Sequence, residues 1–197
     1  MGNVVADLAD RAVARRHDSY ALEIRALLDA ALAVLARSGT VDPRVNDIVR
    51  ESGLSNQTFY RHFDGKDALL LALLADGRER LARTIDRRMT KAADRDAAIR
   101  AWIGAVLDQA RNPSAAAATR PFVANRERLT VLYPDEVALS RQQLVAPLAA
   151  YVGTTNATVI YHLAMGVVHD ALATRRRLAK REFEEMIDFA IKGCSGG

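Results

Sequence analysis

The chain has 197 residues, half of them hydrophobic, with 28 Lys+Arg against 24 Asp+Glu and a net charge of +4. That length and apolar content argue against a disordered chain and for a packed core, and a pI near 9.5 leans mildly toward a polyanionic partner. Aromatics at 6% and scarce β-branched alternation exclude a sheet-rich fold, so the chain reads as all-α.

No uninterrupted apolar run reaches 18 residues, so no membrane span is expected, and the first twenty residues do not pattern as a secretory leader. Cys194 is the single cysteine and has no internal disulfide partner, which fits a reducing, cytoplasmic setting.

Residues 1–19 lack a clean apolar stripe and read as a flexible N-terminal arm. Its Arg11, Arg15 and Arg16 are either a solvated tail or a minor-groove arm. A strong helix follows over 20–37, with Ile24, Leu28, Ala31 and Leu35 on one face, ended by Ser38-Gly39. Asp42-Pro43 then reads as an N-cap with proline at the first helical position. The stretch 45–66, VNDIVRESGLSNQTFYRHFDGK, is the most informative in the chain. Val45, Ile48 and Val49 make an apolar stripe, Gly53 suits the positive φ of a sharp turn, and Ser55 suits an N-cap. Phe59 and Phe63, four apart, share a buried face and leave Asn56, Gln57, Thr58, Tyr60, Arg61 and His62 to point elsewhere. A short helix of that kind, polar outside and anchored by aromatics, suits a DNA major groove.

Lys66 opens a long helix reaching about residue 88, with Leu69, Leu70, Leu73, Leu74 and Leu81 inward. Five more helices are expected: 94–111, 114–130 disturbed at Pro121, 135–151 bent near Pro147, 155–176, and 180–192. Helix 155–176 is apolar nearly all round. Its Val159, Ile160, Leu163, Ala164, Val167 and Ala171, with Phe183 and Ile187 of the last helix, are candidates for a homodimer seam or for internal core. Trp102, Phe122, Asn125, Tyr133, Tyr161, His162 and Met165 are candidates for lining a mostly apolar effector cavity, with core packing as the alternative. His162 and His169 share a helix face but lack a third ligand, so no metal site is expected. No phosphate loop, nucleophile elbow, HExxH or paired-cysteine motif occurs, so neither an enzyme nor a cofactor is expected.

Taken together, LLDAALAVLARSG (27–39) and VNDIVRESGLSNQTFYRHFDGKDALLLALL (45–74) resemble the N-terminal domain of the TetR (tetracycline-repressor) family. The resemblance implies a DNA-binding domain over 20–66, a connecting helix over 67–90, a ligand-binding and dimerisation domain over 91–192, and a tail over 193–197. It also implies a homodimeric repressor released from double-stranded operator DNA by a small molecule. By position, Asn56, Gln57, Thr58, Tyr60 and Arg61 would face DNA, with Tyr60 and Lys66 on phosphates. Arg44 stands where the family often has a capping Ser or Thr; it would reach a phosphate while capping passes to Asp42. From side-chain chemistry, Gln57 suits adenine, Arg61 guanine and Thr58 a thymine methyl, whereas His62 is equally a packing residue. The alternative function is a helix-turn-helix DNA-binding protein without an effector, controlled by a partner or architectural.

Overall fold

The computed structural model describes the backbone of residues 4–194, and side chains from residue 10 onward except Ala12. Among the described residues there are nine helices and no strand. Helix α1 spans Val4–Ser38. No glycine or proline interrupts residues 3–38, and Ala, Leu and Arg dominate, so nothing stops the helix propagating toward the N-terminus. The expected flexible arm is therefore corrected: from residue 4 it continues α1, and Arg15 and Arg16 lie exposed along it.

Helix α2 (Val45–Ser52) follows with Arg44 as its N-cap and no side-chain cap. The cap expected from Asp42 is not made: its carboxylate pairs instead with Lys66 at the start of α4. Gly53 ends α2 at φ 70°, ψ 11°, the left-handed conformation that glycine adopts without steric cost. Helix α3 (Asn56–His62) begins at Ser55, whose hydroxyl accepts the Thr58 N–H at 3.0 Å. The long α4 covers Lys66–Met89.

The C-terminal half comprises α5 (Arg95–Arg111), α6 (Pro113–Ala124), α7 (Arg126–Leu132), α8 (Pro134–Ala173) and α9 (Lys180–Gly193). The disturbance expected at Pro121 moves. The chain runs helically past Pro121 and breaks at Asn125, whose amide donates back to the Pro121 carbonyl at 2.7 Å. Helix α8 continues through Pro147 and is interrupted at Gly153 (φ 78°, ψ 159°), where only glycine sits comfortably, inside the gap expected between helices 135–151 and 155–176. In length and composition α8 passes for a membrane-crossing helix. Its Leu144, Leu148, Ala157, Ile160, Ala164 and Val168 are nevertheless buried against the C-terminal core.

Three apolar clusters hold the molecule together. One, inside the N-terminal domain, joins Leu27, Leu28, Ala31 and Leu35 of α1 to Ile48, Phe59, Phe63, Leu69 and Leu73. Another joins Ile85 and Met89 of α4 to α5, α8 and α9. The smallest, Val41, Leu70 and Leu129, stitches the two halves, with Phe122 and Tyr133 packed on it. Arg25 of α1 also donates twice to Asp76 of α4, at 3.0 and 3.1 Å. Helix α4 thus belongs to both domains.

Candidate nucleic-acid interface

The α2–turn–α3 unit is fixed from behind. Ile48 and Phe59 are fully buried, and Phe63 stacks obliquely on Phe59 at 5.7 Å between ring centroids. With that face committed, helical periodicity sends the other side chains of α3 outward. Asn56 and Gln57 are exposed, and Tyr60 is 58% exposed while its ring edge meets Phe59 at 5.2 Å. Thr58 is half-buried, its hydroxyl paired with that of Ser55 at 3.0 Å, so it completes the cap. Beside this surface Arg44 and Lys66, with Asp42, Pro43, Val45 and Asn46, line an open cleft of about 490 Å³. The Lys66 ammonium holds the Asp42 carboxyl below its ordinary range.

Two of the expected DNA-facing residues are turned elsewhere. The Arg61 guanidinium donates to Glu23 of α1 at 2.6 Å and lies 5.2 Å from the centre of the Tyr20 ring. His62, its side chain only 5% exposed, has Nε2 2.6 Å from the same Glu23 oxygen and meets Tyr20 edge-on at 5.2 Å. His62 is therefore corrected from a DNA contact to a packing residue: it sits one step from the Phe59–Phe63 face, where α1 covers it. Sequence reasoning missed Glu23 and Tyr20. Their spacing of three on α1 was readable, but nothing local says that this end of α1 lies against α3.

The effector candidates do not form one site. Trp102 is fully buried and its indole N–H donates to the Leu144 carbonyl at 2.8 Å, which makes it core. Tyr161 lies 6.4 Å from it, with His162 edge-on to Tyr161 and Met165 a turn further along. Burial pushes the Tyr161 phenol up, against the nearby Arg126 and Arg141. Phe122 and Tyr133 pack instead on the cluster between the domains, and Asn125 caps the α6–α7 break. The seam candidates also divide. Ile160, Ala164 and Ala171 of α8 and Ile187 of α9 are buried inside the protomer, so they are corrected to core. Residues one step away on α8 face outward: Val159 is 58% exposed, His162 and Gly166 are exposed, and Leu163 and Val167 are half-covered. Phe189 of α9 is 66% exposed, and Phe183 is partly buried beneath the Arg111 guanidinium. Among the described residues no group of three His, Cys, Asp or Glu is placed to hold a metal.

A left-handed glycine turn between two short helices, the second capped by serine and polar on its free face, defines a helix-turn-helix module. Residues 27–73 match the family model of bacterial regulatory proteins of the TetR family. Over 86 residues the chain is 31% identical to the HTH-type transcriptional regulator BetI of Brucella anthropi, spanning 44% of this chain and 42% of that one. It is 34% identical over 71 residues to BetI of Brucella canis, 36% of each chain. The matched stretch thus spans less than half the length of these relatives. The fold matches more widely. A TetR family transcription regulator from Marinobacter aquaeolei superimposes with a TM-score of 0.67 at 18% identity, covering 90% of this chain and 97% of that one. The fatty acid degradation regulator FadR from Bacillus halodurans gives 0.58 at 17% identity, covering 88% and 98%. The likeness to the TetR family in sequence thus lies in the N-terminal domain, over residues 27–73, while the solved structures share the fold of nearly the whole chain.

Proposed function

We propose that the chain is a homodimeric, sequence-specific transcriptional regulator acting on double-stranded operator DNA in the cytoplasm, and that it represses until a small, largely apolar effector releases it. The observation that carries this reading is α3: capped by Ser55, clamped by Phe59 and Phe63, and presenting Asn56, Gln57 and Tyr60 to solvent. Asn56 and Gln57 select bases, while Tyr60, Arg44 and Lys66 set register on phosphates. One module buries too little duplex for gene-scale specificity, so two copies are needed, one DNA turn apart. The outward stripe of α8, Val159 to Val167, together with Phe189, supplies the apolar surface for that pairing. Effector release acts through α4, which joins the apolar cluster behind α3 through Leu69 and Leu73 and the C-terminal core through Ile85 and Met89. A coupling of about 1–3 kcal/mol between effector and operator suffices.

Selection of duplexes from a random pool, followed by titration at several salt concentrations, tests the reading. Gln57→Ala is expected to relax preference at one position and cost about 1–3 kcal/mol, whereas Lys66→Ala weakens every sequence alike and flattens the salt dependence. Failure of the pool to yield any common sequence would refute it. A regulator without an effector is the second reading. It is favoured by the packed setting of Trp102 and by the open form of the clefts at Arg44 and at Arg141.

A further inference from the structure

Glu23 is a carboxylate of α1 placed against the helix that carries the reading surface. One of its oxygens takes both donors that α3 offers on this side, Arg61 and His62, each at 2.6 Å. Tyr20, a turn earlier on α1, lies against both the guanidinium and the imidazole. Arg61 leaves α3 four residues after Gln57, hence from the same outward face, yet its charge is bent back onto α1. His62 is nearly buried and anchors Glu23 in place, so the carboxylate cannot swing out with the arginine. Its charge also offsets that of Arg61 at the point where a polyanion would approach.

We propose that Glu23 is a specificity-determining positioning residue of the DNA-reading surface: it withholds the Arg61 guanidinium from the duplex and leaves base selection to Asn56 and Gln57. The inference rests on the DNA-binding reading above. Asn56 and Gln57 suit adenine, whereas a freed arginine bonds bidentately to guanine. Removing the carboxylate therefore adds a reader.

Glu23→Gln keeps a hydrogen-bonding group beside His62 and removes the charge. Full-length wild type and variant, shown equally helical by circular dichroism, are each used to select duplexes from a random pool, and affinities are measured by fluorescence anisotropy. The variant is expected to show guanine preference at one additional position and to bind that sequence about fivefold more tightly, the factor an ion pair of this exposure contributes. In an Arg61→Ala background the substitution is expected to change nothing, and Arg61→Ala alone to shift wild-type affinity less than about twofold. An unchanged motif, weaker binding, or a gain that survives Arg61→Ala would overturn the proposal. If the wild type selects no sequence, the DNA-binding reading fails and this inference falls with it; a shared motif at equal affinity sinks the role of Glu23 alone.

Discussion

Trp102→Phe separates a structural indole from one that lines an effector cavity. The side chain is fully buried, and its N–H donates to the Leu144 carbonyl across the α5–α8 contact. Phenylalanine leaves roughly 40 Å³ unfilled, and at about 24 cal/mol per Å³ of residual cavity that is about 1 kcal/mol. Losing the donor costs about 1–3 kcal/mol more, because the hydrogen bond it breaks is buried. The sum, roughly 2–4 kcal/mol, is a large part of the 5–15 kcal/mol expected for a whole domain. Urea unfolding followed by circular dichroism reads it directly, at one fixed protein concentration because association would shift the midpoint. DNA affinity well below the unfolding transition is expected to stay unchanged, since Trp102 and α3 belong to separate apolar clusters. A loss below about 0.5 kcal/mol, the range of an ordinary surface change, would mean that the indole borders open space. The packing argument for the C-terminal core would then be wrong at its centre.

Two further outcomes test other parts of the molecule. Val159→Glu places a charge in the outward stripe of α8 and is expected to convert a dimer to monomer in sedimentation experiments without loss of helicity, whereas a variant that stays dimeric would move the seam elsewhere. Hydrogen bonds first from His62 and then from Arg61 hold the Glu23 carboxyl below its ordinary range. A carboxyl lowered by folding stabilises above its unfolded pKa, about 4.3, and that contribution fades as pH falls through the lower folded value. The gap in melting temperature between wild type and Glu23→Gln should therefore hold above about pH 5 and narrow progressively as pH falls below about 4.3; a gap independent of pH contradicts the pairing.

The N-terminal domain was legible because its signals are local. Gly53 must take a positive φ, Ser55 must accept an N–H within its own turn, and Phe59 and Phe63 must share a face. None of these depends on a distant residue. The start of α5 follows for the same reason, from the Asp94 side chain that accepts the Ala97 N–H. Where two local signals competed, the reading slipped. Pro121 looked like the disturbance in its helix, yet the break falls at Asn125, whose side chain donates to the Pro121 carbonyl.

Residue chemistry at the surface also followed from the sequence: which side chains can bond to bases, which to phosphate, and that α8 has more apolar faces than one core can cover. Tertiary structure alone decided how those side chains are spent. Arg61 and His62 turn toward Glu23, Trp102 toward Leu144, and Phe122 and Tyr133 into the domain junction. Ile160 points inward while its neighbour Val159 points out. Periodicity gives the relative angle of two residues on a helix but not the direction of the helix's neighbours. For Arg61, His62 and Trp102 that direction comes from contacts between residues 38 to 42 positions apart, which no short window of sequence contains.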